Sequence, residues 1–185
     1  MFARTERLLL RPGWVQDAPA LHRVLAEEAI VRNLATAPWP YRYEDAEAFL
    51  ATERGPENPV MLVFLREAGA PRLIGTIGLS RRPGEEVELG YWIGRHWWNR
   101  GFATEAGRAV VAMARDSLRL PRLAAGHFID NPASGRVLEK LGFAPTGEVV
   151  PRFSVGRGMV APCRTYGLTL REEAEGKAEE AAMAA

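Results

Sequence analysis

The stretch Glu88-Leu89-Gly90-Tyr91-Trp92-Ile93-Gly94-Arg95-His96-Trp97-Trp98-Asn99-Arg100-Gly101-Phe102-Ala103-Thr104-Glu105-Ala106 decides the fold. A strand-like run ends at Gly94, a turn rich in Arg and Asn follows, and an amphipathic helix opens near Gly101. Along the strand, Val87, Leu89, Tyr91 and Ile93 share one face, while Glu88, Gly90 and Trp92 share the other. The helix carries Ala103, Ala106, Gly107, Val110, Val111 and Ala114 at helical spacing. A helix that opens on glycine directly after a strand leaves backbone N–H groups unpaired, and its dipole favours an anion. Gly101 permits close approach of a ligand to the backbone, Thr104 offers a hydroxyl and Arg100 a cation. The turn is therefore a candidate cradle for a phosphate-bearing nucleotide. Gly-x-Ala alone has little specificity, and the chain carries neither a P-loop pattern nor a Rossmann fingerprint after its first strand.

Working outward, Thr5 to Arg11 reads as a first strand broken by Pro12-Gly13. Asp17 is placed to cap a helix bearing Ala20, Leu21, Val24, Leu25 and Ala29. Residues 33–43, with two prolines and three aromatics, read as a loop, and 44–53 as a second helix. Strands follow at about 60–66, 72–81 and 86–94, separated at hairpin distance by Gly69-Ala70-Pro71 and Arg82-Pro83-Gly84. After the helix 101–118 come a strand 123–129 and a short helix with Asn131 as cap and Pro132 in its first turn, ended by Gly142. A strand from Phe143, an irregular stretch 151–162 and a last strand 164–170 complete the order β α α β β β α β α β β. Hairpin links make the sheet mostly antiparallel. The strand–helix–strand crossover over 86–129 demands one parallel pair or a gap beside it. The fold class is thus α+β with a mixed sheet, one domain over 1–171, and a Glu/Ala-rich tail over 172–185 that reads as frayed or flexible.

Composition narrows the function classes. The 185 residues suit one domain, and 47% hydrophobic with 25% charged residues is ordinary for a globular protein. A net charge of +1 argues against a broad nucleic-acid footprint, so no nucleic-acid partner is expected. Basic residues are nearly all Arg, with only Lys140 and Lys177. No apolar run reaches the length of a membrane span, and the start lacks the apolar core of a signal peptide. A lone cysteine, Cys163, forms no internal disulfide and reads as a small core residue; a cytoplasmic location is the expectation. His22, His96 and His127 lack metal-ligand spacing, so no metal is expected.

The third element is Asn131-Pro132-Ala133-Ser134-Gly135-Arg136-Val137-Leu138-Glu139-Lys140-Leu141-Gly142-Phe143. Capping explains part of Asn131. It does not explain the recurrence of strand, capped helix and Leu-Gly-Phe in this order. That element, Thr5-Glu6-Arg7-Leu8-Leu9-Leu10-Arg11, Gly90-Tyr91-Trp92-Ile93-Gly94 and Asn99-Arg100-Gly101-Phe102-Ala103-Thr104-Glu105-Ala106 together resemble the GNAT superfamily of acyl-CoA-dependent N-acetyltransferases. Within it they resemble the ribosomal-protein N-terminal (Rim-type) branch. The match covers residues 4–171.

The resemblance implies a GNAT fold: helices on both faces of a sheet splayed at the strand 86–94, with acetyl-CoA in the V. It assigns the pantetheine to the backbone of Trp92, Ile93 and Gly94, and the pyrophosphate to the loop Trp98, Asn99, Arg100, Gly101, Phe102, Ala103 and Thr104. Trp98 stands where many members have Gln or Arg. Asn131 is expected to bond the pantetheine, and Arg136 to approach the far end of the cofactor. By family position Glu88 is the candidate base and Ser134 the candidate acid or hydrogen-bond donor, with the Ile93 N–H as an oxyanion donor. An amine-bearing acceptor, a peptide N-terminus or a small molecule, is expected between the loop 31–43 and the stretch 149–163, against Trp39, Tyr41 and Arg152. A homodimer is left open. The competing readings are a non-catalytic acyl-CoA sensor on the same fold, and a nucleic-acid-binding module, which the near-zero net charge disfavours.

Overall fold

The computed structural model describes residues 2–67, 69–81 and 86–171. The expected turn over 82–84 and the expected tail over 172–185 lie outside the described residues. One eight-stranded sheet organises the chain: β1 (Ala3–Arg4), β2 (Leu8–Arg11), β3 (Val60–Leu65), β4 (Arg72–Ser80), β5 (Glu88–Ile93), β6 (Arg122–Phe128), β7 (Ala144–Ser154) and β8 (Met159–Thr169). The spatial order is β1-β2-β3-β4-β5-β6-β8-β7. Every neighbouring pair is antiparallel except β5–β6, which is parallel. The crossover expected over 86–129 therefore does create a parallel pair. It is a short one, with only Glu88 opposite Ala124 and Leu89 opposite Ala125.

Both faces of the sheet are covered. The helices α4 (Phe102–Asp116) and α5 (Pro132–Lys140) seal one face, where Val63, Ile77, Leu89 and Ile93 meet Phe102, Val110 and Leu138. On the other face α1 (Ala18–Leu25), the four-residue α2 (Glu28–Val31) and α3 (Tyr43–Ala51) cover Leu62, Phe64, Leu73 and Trp92. This explains why β3 reads as the unbroken apolar run Val-Met-Leu-Val-Phe-Leu: a strand buried on both sides has no polar face to alternate with. Trp92 accordingly belongs to the second core at 9% exposure.

Three expectations change. The first strand is two short ones, β1 and β2, interrupted where Thr5 turns back on Leu8. The loop before Tyr43 is preceded by the extra helix α2, and it contains a cis Trp39–Pro40 bond. The stretch 151–162 is not irregular but regular hairpin, with Arg152 opposite Ala161 and Phe153 opposite Val160. Its prolines misled the reading. Pro151 lies opposite Pro162, whose carbonyl accepts from Ile129 on the β6 side. Pro162 therefore faces away from β7, and the ladder between β7 and β8 asks neither proline for an N–H.

α5 sits so close to the sheet that Gly135 has no room for a side chain. A Cβ there would lie 2.7 Å from His127 Nε2 and 3.0 Å from Tyr166 Oη. Both neighbours are buried rings, and they lie 5.6 Å apart centroid to centroid. Gly135→Ala must therefore push α5 outward, and we expect a loss of about 1–3 kcal/mol in urea unfolding, the usual cost of overpacking. An unchanged midpoint would mean that α5 is not seated as described.

Candidate active site

β5 and β6 part after Leu89. β5 continues along β4, with Trp92 opposite Thr76 and Ile93 opposite Gly75, while β6 continues along β8 to Phe128. Backbone direction alternates along a strand. The Gly94 N–H bonds the Ile74 carbonyl at 2.7 Å, so Gly94, and with it Trp92, directs its backbone at β4. The Val87 carbonyl accepts from Ala124, so the odd-numbered residues direct theirs toward β6. Beyond Leu89 that side is open, which turns the backbone of Tyr91 and Ile93 into the cleft. Of Trp92, Ile93 and Gly94, which the resemblance assigns to the pantetheine, Ile93 presents its backbone to the cleft, as does Tyr91 before it. The Ile93 carbonyl already accepts from the Trp98 indole at 2.6 Å. Trp98 thus ties the turn to the strand end.

The turn closes with Asn99 at φ 60° and Gly101 at φ 79°, and Gly101 is the N-cap of α4 without a side-chain cap. The positive φ is why glycine opens this helix. Phe102 is buried, so it can contribute only backbone to a ligand; Thr104 is 9% exposed in the cavity wall. Arg100 projects over the Phe102 ring at 5.5 Å, outside the cavity lining. Asn131 is the N-cap residue of α5, yet its side chain makes no capping bond. The capping expected of it is absent, and its amide lies in the cavity wall beside Ser134 and Arg136.

Ser134 is held by a residue that the sequence reading passed over. The Tyr91 hydroxyl lies 2.8 Å from Ser134 Oγ and donates to the Ser134 carbonyl at 3.0 Å. Burial pushes the Tyr91 hydroxyl up to about 12, against the lowering effect of its bond to Ser134. Tyr91 thus stays a proton carrier at every physiological pH. The signal was visible in the alternation that put Tyr91 on the α5 side, but Tyr91 was taken as core.

Glu88 stands on the opposite face, bound through both oxygens to Arg152, at 2.5 Å from Nη1 and 3.0 Å from Nη2. Thr76, Gly78, Ser80, Gly90 and Trp92 line the same cavity. Strand pairing puts them on one face with Glu88. Tyr41 also lines it, and its buried hydroxyl has no hydrogen-bond partner among the described residues. Burial, and then the charge of Asp45, push that hydroxyl up to about 12. Trp39, by contrast, does not line the cavity and is 40% exposed. Cavity and cleft form one space of about 1370 Å³ running through the sheet. The β7–β8 tip forms one rim: Ser154 Oγ donates to the Leu34 carbonyl, and Arg157 binds Asp130 through both oxygens.

A latch outside the expected site holds the turn. Glu105 accepts from the Thr5 hydroxyl, the Arg7 N–H and the Arg7 guanidinium, and Arg7 donates onward to the Arg100 carbonyl. This is the physical content of Thr5-Glu6-Arg7 and of Glu105, two motif pieces a hundred residues apart.

The comparisons with known proteins agree with this geometry. Residues 7–144 match the family model described as acetyltransferase (GNAT) domain. The chain belongs to the GNAT acetyltransferases. It is 31% identical over 173 residues to the uncharacterized N-acetyltransferase YoaA of Bacillus subtilis (strain 168), covering 91% of this chain and 97% of that one. It is 25% identical over 142 residues to the L-amino acid N-acetyltransferase AaaT of Escherichia coli (strain K12), covering 76% and 85%. A GNAT-family acetyltransferase crystal structure from Bacillus anthracis superposes with a TM-score of 0.79 at 26% identity, covering 93% of this chain and all of that one. The chain is thus an acetyltransferase with an α+β GNAT fold. These relatives do not single out the ribosomal-protein branch. GNAT acetyltransferases use acetyl-CoA and an amine-bearing acceptor. Among the described residues there is no cluster of His, Cys, Asp and Glu suited to a metal, and no helix long and apolar enough to cross a membrane.

The Glu105 latch gives a pH signature. Burial raises the Glu105 carboxyl, but the bonds from Thr5 and Arg7 outweigh it and hold it below its ordinary 4.5. A group with a lowered folded-state value stabilises above its unfolded value and loses that contribution as pH falls through the folded one. In denaturant titrations, Glu105→Gln is expected to destabilise most near neutral pH, with the gap to the wild type closing below about pH 4.5. A gap independent of pH would remove the ionic latch.

Proposed function

We propose that this GNAT chain transfers an acetyl group from acetyl-CoA to a primary amine by direct attack. The observation that carries the reading is the β5–β6 divergence, which faces the backbone of Tyr91 and Ile93 toward Ser134 and Asn131 across one cleft. The donor set fits a CoA thioester. The strand edge would pair with the pantetheine, the N–H groups after Gly101 would hold the pyrophosphate, and the uncommitted Asn131 amide would take a pantetheine amide. Arg136, in the cleft wall, is placed for the distal phosphate. When bound, acetyl-CoA supplies an activated acetyl carbonyl.

The chain's residues do the rest. The Ile93 N–H points into the opened side, where it can stabilise an oxyanion. Glu88 is the carboxylate placed to take the amine proton. Ser134, when Tyr91 donates to its Oγ in place of its carbonyl, is the hydroxyl placed to donate to the leaving sulfur. The acceptor side is the Thr76–Trp92 face and the orphaned Tyr41 hydroxyl, which takes its partner from whatever fills the cavity. The motifs of the ribosomal-protein branch support a peptide N-terminus as acceptor, and the likeness to AaaT supports a small amine.

The test is thiol release from acetyl-CoA across a panel of amines and short peptides. Turnover with at least one amine is expected. Glu88→Gln and Ser134→Ala should each lower kcat by about 10²-fold, the low end of general acid–base effects, with the affinity for acetyl-CoA retained. Binding of acetyl-CoA without turnover on any amine would favour the non-catalytic sensor; no binding would remove both readings.

A further inference from the structure

In the state just described Glu88 is already engaged on both of its oxygens. Both of its oxygens accept from the Arg152 fork, in the bidentate geometry that guanidinium and carboxylate favour. The two residues come from distant strands: in the order β5-β6-β8-β7, two strands separate them. The Arg152 side chain reaches across this gap, passing 3.8 Å from where a Cβ on Gly126 would stand. The pair is not sealed, since Arg152 is 30% and Glu88 26% exposed, and both line the cavity. Immediately beside Glu88 on the same face lies Gly90, exposed, with open space where its Cβ would be. The cavity therefore has room for a ligand next to the ion pair, within reach of both partners.

We propose that the acceptor is an amine carrying its own α-carboxylate, and that this carboxylate takes Arg152 from Glu88 and so frees the base. The inference rests on the acetyltransferase reading and names its substrate class. The exchange replaces one carboxylate by another on the same fork, so the guanidinium is never left unpaired in a half-buried place. Glu88 then has a free oxygen and a neighbouring ammonium. One N–H bond breaks, its electron pair stays on nitrogen, and the proton passes to Glu88. The neutral amine forms the C–N bond as the C–S bond of the thioester breaks; the nitrogen sheds its second proton to Ser134 or water, the departing thiolate takes up one proton from the same Ser134 or water, and the proton left on Glu88 is the one released. An acceptor whose α-position bears a neutral amide, as in a peptide, leaves Arg152 on Glu88 and the base occupied.

The test compares kcat/KM by thiol release for a set of L-α-amino acids, their α-amides and the corresponding decarboxylated amines. For the best side chain we expect the free acid to exceed its amide by about 10²-fold or more, because the site's charged group is otherwise left with the wrong partner. Arg152→Gln should collapse that ratio toward one. Arg152→Lys keeps the charge without the fork and should reduce the ratio severalfold; it serves where the Gln variant melts early. Glu88→Gln should lower kcat for acids and amides together. Equal kcat/KM for acids and amides in the wild type would overturn the proposal while leaving the acetyltransferase intact. So would an Arg152 variant, Gln or Lys, that lowers both in the same proportion, the mark of a structural role. Absence of turnover with every amine, despite acetyl-CoA binding, would remove the acetyltransferase reading and this inference with it.

Discussion

Everything at the site depends on how little β5 and β6 share. Two residue pairs, Glu88–Ala124 and Leu89–Ala125, join the half of the sheet built from β1 to β5 to the half built from β6 to β8. Had the strands stayed together, Tyr91 and Ile93 would have spent their backbone groups on the ladder. Because they part, the sheet keeps one buried, internal edge, and a buried polar edge needs a partner. The partner is supplied in part from within, by the Trp98 indole on the Ile93 carbonyl. The remainder faces the cleft.

The two cores keep that edge open. On one face, α4 and α5 pack on Leu89 and Ile93; on the other, Trp92 is locked among the residues of α1, α2 and α3. β5 is therefore gripped from both sides and cannot drift toward β6. The Arg7–Glu105 latch fixes the turn after β5 to the start of β2, and Trp98 fixes the same turn to the end of β5. A preorganised donor set of this kind costs no reorganisation when a ligand arrives. α5 brings Asn131 and Ser134 to the cleft because Gly135 lets it rest on His127 and Tyr166.

Much of this was legible in the sequence. Helical periodicity over 101–118 and Asn131-Pro132 at a helix start are local signals, and each produced the element expected. Chain connectivity alone left a parallel pair or a gap beside the crossover, and the structure has the pair. What stayed hidden depends on neighbours far along the chain. The stretch 151–162 reads as irregular because its prolines are harmless only in a register that no local pattern reveals. The engagement of Glu88 by Arg152, 64 residues away, and of Glu105 by Thr5 and Arg7 is equally non-local. Tyr91 was read as core, correctly by its face, yet its hydroxyl reaches past the core to Ser134. Of Trp39, Tyr41 and Arg152, expected together against the acceptor, Tyr41 and Arg152 line the cavity and Trp39 does not, because the loop turns Tyr41 inward instead.

The central claim is that the opened edge of β5 holds the acyl-CoA, through alternate residues. Amide hydrogen exchange resolved to single residues tests it most directly. On addition of acetyl-CoA, the Tyr91 and Ile93 amides should gain protection, while those of Trp92 and Gly94, already directed at β4, should change little. Saturating binding that leaves Tyr91 and Ile93 unprotected, or that protects Trp92 and Gly94 in their place, would contradict the account.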